Sequence, residues 1–102
     1  MEAAEMPKGR PAGEVEKRIW DVEEFNVYFA HLSGRDVRTE RLVPEYPYES
    51  PATDNITVET WKATRFRPNY PGFEVGVLNA EDKDVHGNTM LWTVRNSYLE
   101  ED

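Results

Sequence analysis

Phe73 to Ser97, FEVGVLNAEDKDVHGNTMLWTVRNS, constrains the fold more than any other stretch, because two apolar-alternating runs flank an acidic turn. Phe73, Val75 and Val77 alternate in the first run and Met90, Trp92 and Val94 in the second, the period-two pattern of strands with one buried face. The stretch predicts an antiparallel hairpin. Val85 and Met90 differ in parity, so one extra residue has to be absorbed between them, and Gly87 is the natural bulge. Gly76 is expected either on the solvent face or beneath a closely approaching backbone.

Upstream, Val22, Phe25, Phe29 and Leu32 recur at helical spacing and predict a helix over Asp21–Leu32. Asp21 and Glu24 suit a capping box, Trp20 can staple onto Phe25, and Gly34 suits a left-handed stop. Val27 and Tyr28 would also suit a strand. Asp36–Val43 reads as a charged edge strand ended by Pro44, and residues 44–55, with three prolines, as an unusually long loop. In Ile56–Arg67, Thr57 could cap a helix, but Ile56, Val58, Trp61, Ala63 and Phe66 do not share one helical face, so a strand is expected. Pro71-Gly72 matches the centre of a type II turn.

A chain of 102 residues forms one domain. Three tryptophans, five tyrosines and four phenylalanines can supply its core, each ring burying roughly 150–250 Å². The expected fold class is α+β, with one N-terminal helix packed on a three- to four-stranded antiparallel sheet ending in a β-meander. Residues 1–14, broken by Pro7, Gly9, Pro11 and Gly13, are expected to be a disordered tail; residues 15–99 form the domain and 100–102 an acidic end.

Composition narrows function by exclusion. Cysteine is absent, which removes disulfides, thiolate nucleophiles and cysteine-rich zinc sites. No apolar run approaches the ~18 residues of a membrane span, and no signal-peptide pattern opens the chain, so a cytoplasmic location without membrane contact is expected. Twenty acids against twelve bases give a net charge of −8, which repels phosphate backbones and disfavours direct nucleic-acid binding.

Asp82, Asp84, His86, Gly87 and Asn88 follow the opening of a calcium loop in alternating oxygen donors and in the glycine. Histidine at the fifth place and Thr93 at the twelfth are wrong for it, so Asp82, Asp84 and Asn88 read as turn residues first and metal ligands only by exception. No cofactor is expected. His31 and His86 are the only histidines and belong to no local catalytic motif. Arg35, Arg38 and Arg41, and Lys62, Arg65 and Arg67, form two basic clusters that either balance neighbouring acids or meet an anionic ligand, depending on whether they converge.

Tyr46, Tyr48 and Tyr70 stand beside prolines in irregular segments, where tyrosine suits either a binding surface or a lid over the core. With Glu81, Asp82 and Asp84 they are the candidate partner-binding residues of a small acidic protein-binding or regulatory module without catalysis. One alternative is a nucleic-acid mimic from a mobile element, with acids of Asp21–Glu24, Glu81–Asp84 and the C-terminus aligned. Another is a small-molecule-binding or enzyme subunit with a site around His31 or His86.

Overall fold

The computed structural model describes residues 9–99, and mixes three helices with two small antiparallel sheets. Strand β1 (Arg10–Pro11) leads directly into helix α1 (Ala12–Glu23), followed by strands β2 (Asn26–His31) and β3 (Leu42–Val43). Helix α2 (Val58–Trp61) runs on into a π turn over Lys62–Phe66, and strand β4 (Phe73–Leu78) and helix α3 (Leu91–Leu99) complete the chain. β1 pairs with β3, and β2 with β4 from Asn26↔Leu78 to His31↔Phe73. Isolated bridges add Asp36 beside β2 and Asp84 beside β4, so short flanking segments extend that sheet. No helix among the described residues is long and apolar enough to cross a membrane.

The N-terminal helix starts nine residues earlier than expected, at Ala12 instead of Asp21. Ala12, Val15, Ile19 and Val22 are buried at spacings of three, four and three, the same rhythm expected from Val22 onward. Pro11 stands at the N-cap with extended backbone, a place where a missing amide costs little, so the Pro-Gly signal marks the start of the helix instead of a tail. Residues 10–14 therefore belong to β1 and α1, while residues 1–8 of the expected tail and the acidic end 100–102 lie outside the described residues. Glu24, left-handed at φ 68°, closes α1 through its amide to Trp20.

What was expected as the second half of a helix is β2. Val27 and Phe29 turn inward against α1 and the aromatic core, and β-branched and aromatic side chains favour the pleated form. Trp20 does not staple onto Phe25. It meets Tyr98 edge-on at 5.0 Å, while Phe25 meets Trp61 at 5.1 Å.

The expected strand Ile56–Arg67 is helical. The Thr57 hydroxyl accepts the Thr60 amide at 3.1 Å as an N-cap, and Val58, Trp61 and Phe66 are all buried. Trp61 and Phe66, five apart, cannot share a face of a regular α-helix; the π turn, with the Arg67 amide bonded to the Lys62 carbonyl at 2.8 Å, brings them together.

The expected terminal hairpin survives only in its first half. β4 forms, but its long partner is β2, and the returning segment pairs briefly, through Leu78↔Asp84, the Val85 amide to the Val77 carbonyl and the Asn79 amide to the Lys83 carbonyl. Met90–Val94 is not a strand: Leu91 and Val94 are buried from α3, with Arg95 and Tyr98 on the same inward side. The β-meander is thus replaced by a helix. Gly87 carries no bulge; a side chain there would crowd the Glu59 Cβ at 3.3 Å, where the chain passes close to α2. The first amides of α2 donate to carbonyls of Gly87 and Thr89, and those of α3 to Ile56 and Asp54, so the segment leading into each helix supplies partners for the other helix's free N-terminal donors.

Asp36–Val43 is mostly an irregular connection, with only Leu42–Val43 in a strand. The type II turn is present: Gly72 sits at φ 93° and the Phe73 amide bonds back to the Tyr70 carbonyl at 3.1 Å.

Candidate functional site

Glu23 ends α1 at 0% exposure, a carboxylate in a position that should cost several kcal/mol unless its charge is met. One of its oxygens accepts from the Ala52 amide at 2.9 Å and from Arg95 at 3.1 Å. The other accepts from Arg65 at 2.8 Å and from the Tyr46 hydroxyl. Four donors fill the lone-pair capacity of the carboxylate. Arg95 also donates to the Glu23 carbonyl at 2.7 Å, the Ala52 carbonyl at 2.9 Å and Asp54 at 2.7 Å, and the Trp61 indole donates to the Tyr46 oxygen at 3.2 Å. Burial, followed by the neighbouring Glu23 carboxylate, pushes the Tyr46 phenol well above its ordinary range. The knot joins α1, the three-proline loop, the π turn and α3, and gives that long loop its order. Because every one of its polar groups is already matched, it reads as structural.

The sequence missed this centre. No local pattern separates Glu23 from its acidic neighbours in Asp21–Glu24, and the signal that exists is its place one residue after Val22 on the buried face of α1.

The candidate tyrosines divide. Tyr46 and Tyr70 are buried in the core, which takes both off any contact surface. Tyr48 is half-buried, stacked under the Arg65 guanidinium at 4.2 Å and edge-on to Tyr46 at 5.2 Å. Tyr46 and Tyr48 pack as a lid against the core, with part of Tyr48 left exposed. Tyr70 stacks on Phe66 at 4.7 Å, and its buried hydroxyl has no hydrogen-bond partner among the described residues.

Asp84 is taken up by structure as well. Tyr28 crosses the strand to lie over Gly76, where a Cβ would fall 2.3 Å from its ring, and its hydroxyl donates to both Asp84 oxygens at 2.8 and 3.0 Å. Asp82 occupies a left-handed turn position at φ 62°, and the Asn88 amide donates to the His86 Nδ1 at 3.1 Å. The turn itself is organised by Asn79, whose side-chain oxygen accepts the amides of Glu81 and Lys83. No group of three or more metal-ligating acids or histidines comes together among the described residues.

Glu81 and Asp82 remain exposed at the end of the β2–β4 ladder where α1 and α3 meet. There Asp82, Glu16, Lys17 and Trp20 line a shallow cleft of about 320 Å³ with Leu78. Trp20 is 37% exposed while its ring leans on Tyr98. The Tyr98 hydroxyl is fixed by the Asn26 amide at 3.0 Å and by the Leu78 carbonyl, which locks the platform on which Trp20 rests. Burial, with Asp82 nearby, raises the Tyr98 phenol above its usual range. This is an aromatic surface with Asp82 exposed on its rim, Glu16 half-buried and accepting the Phe29 amide at 2.9 Å, and Lys17 beside them.

The other sequence-marked groups scatter. His86 belongs to the loop against α2, and His31 lines a separate cleft at the opposite end of β2 with Arg35, Arg38 and Arg41. Lys62, Arg65 and Arg67 do not converge: Arg65 is in the Glu23 knot and Arg67 pairs with Glu59 and Glu74. Of the acids expected to form a phosphate-like row, Glu23 points into the core, and the C-terminal acids lie outside the described residues. No family model, curated protein or solved structure matches this chain.

Proposed function

We propose that this chain is a small protein-binding module that holds a basic segment of a partner on the acid-rimmed aromatic face around Trp20. The observation that carries the reading is a tryptophan left 37% exposed, braced by Tyr98 and flanked by Glu16 and Asp82. Tryptophan is costly to expose and is enriched at the centres of protein interfaces. Its ring face attracts lysine and arginine, and the exposed Asp82, with Glu16 behind it, outweighs the single Lys17 charge in steering a cation to the cleft. No catalytic step is assigned to the module, and a cysteine-free chain suits the reducing cytoplasm in which we place it.

The test is co-purification of the tagged chain from its host in parallel with Trp20→Ala and Asp82→Lys variants of native circular dichroism. A partner held by the parent and lost by both variants, through a lysine- or arginine-rich segment, supports the module. Retention of every partner by both variants overturns this face as the binding surface.

A further inference from the structure

Arg35, Arg38 and Arg41 line one open cleft of about 750 Å³ at the His31 end of β2, together with Asp36 and Glu40. Of the five arginines outside the cleft, Arg10, Arg65, Arg67 and Arg95 each hold a carboxylate oxygen within 3.4 Å, and Arg18 donates to the Tyr48 carbonyl instead. The three cleft arginines form no ion pair among the described residues, in a chain where acids outnumber bases twenty to twelve. Arg41 instead lies 5.5 Å over the Phe73 ring.

These guanidiniums project from a pinned backbone. The His31 amide bonds to the Arg35 carbonyl at 2.7 Å, Val37 is buried with its amide on Phe29, and the Arg41 amide closes a turn onto the Arg38 carbonyl at 3.0 Å. The first amides of α1 hold the far side, Ala12 donating to the Arg41 carbonyl at 2.8 Å and Gly13 to that of Thr39 at 3.0 Å. Such anchoring lowers the entropy lost when the side chains close on a ligand.

We propose that this cleft binds a phosphate group, carried by a small molecule or by a phosphorylated side chain of a partner. Asp36 and Glu40 offset most of the attraction for a single negative charge, whereas a phosphate dianion offers more charge and several acceptor oxygens to the planar guanidinium forks. The net charge of −8 does not decide the matter locally. Glu81 and Asp82 sit beyond the opposite end of the β2–β4 ladder, whose six residues at roughly 3.4 Å each separate the two ends by about two screening lengths at physiological salt. The proposal is independent of the Trp20 face.

The test is titration calorimetry of the full chain at low ionic strength with pyrophosphate, with a phosphoserine peptide, and with the same peptide carrying glutamate at that serine. Saturable one-to-one binding of pyrophosphate or of the phosphopeptide is expected, and which of the two binds identifies the source of the phosphate. Affinity should fall about tenfold in Arg38→Gln and again in Arg41→Gln, and stay unchanged in Arg10→Gln. Arg38 is exposed, so its variant retains the fold and keeps the test decisive if Arg41→Gln disturbs Phe73. Absence of saturable binding to both phosphate ligands, equal binding of the glutamate peptide, or wild-type affinity in Arg38→Gln overturns the proposal.

Discussion

Two flanks of the same aromatic core treat a buried tyrosine hydroxyl in opposite ways. At the Glu23 knot, Tyr46 donates to a carboxylate and accepts from Trp61, and Arg65 and Arg95 complete the set. On the Phe66 flank, Tyr70 is held by ring packing, stacked on Phe66 and edge-on to Phe29 at 5.2 Å, with its hydroxyl unmatched. The first flank selects one arrangement of four chain segments, because any other leaves charges buried without partners. The second gains contact area and tolerates a polar atom that contributes nothing. The buried polar groups of this fold therefore specify it in one place and weaken it in another.

The sharpest way to break the comparison is Glu23→Ala, which strands Arg65 and Arg95 around an empty site. A loss of about 3–5 kcal/mol is expected in urea unfolding, and a loss below about 1 kcal/mol would show that the knot is not what fixes the loop. Alkali attacks both flanks together. The folded-state pKa values of Tyr46 and Tyr70 are raised, chiefly by burial, so their contribution is complete below the unfolded value near 10 and drains as pH rises above it. Stability should fall by about 1.4 kcal/mol per pH unit for each tyrosine, and a urea midpoint that stays flat from pH 9 to 11.5 contradicts their burial.

The two tyrosines then separate. Tyr46→Phe removes a donor to Glu23 and an acceptor for Trp61, with an expected cost of about 1–3 kcal/mol by the same unfolding measurement. Tyr70→Phe removes only the unmatched oxygen and should raise stability by about 1 kcal/mol; a destabilisation would reveal a hidden partner for that hydroxyl. The smallest effect belongs to the exposed pair of Arg10 and Glu45 at 2.6 Å. Arg10→Ala should leave the urea midpoint unchanged, in contrast to removal of either arginine paired with the buried Glu23.

Much of the candidate face was legible in residues but not in position. Glu81 and Asp82 are recognisable as turn acids and lie at the surface, whereas the staple expected of their neighbour Trp20 does not form. Trp20 joins them only because α3 brings Tyr98 across the end of the ladder, and no local pattern encodes that meeting. That Tyr46 and Tyr70 face the core is hidden for a related reason: proline-rich surroundings mark irregular backbone, but say nothing of whether its rings face inward.

By itself the sequence determined the mixture of helix and strand, the Phe73–Leu78 strand and the Pro71-Gly72 turn, all set by short-range sterics and alternation. Only tertiary structure decided that Asn26–His31 is a strand, Val58–Phe66 is helical and Leu91–Leu99 a helix. Each of those segments has a local pattern compatible with either form, and the choice follows from which form buries its apolar side chains against the others. The same logic placed Glu23: a carboxylate enters a core only where distant residues supply its partners, and Arg65 and Arg95 lie 42 and 72 positions away.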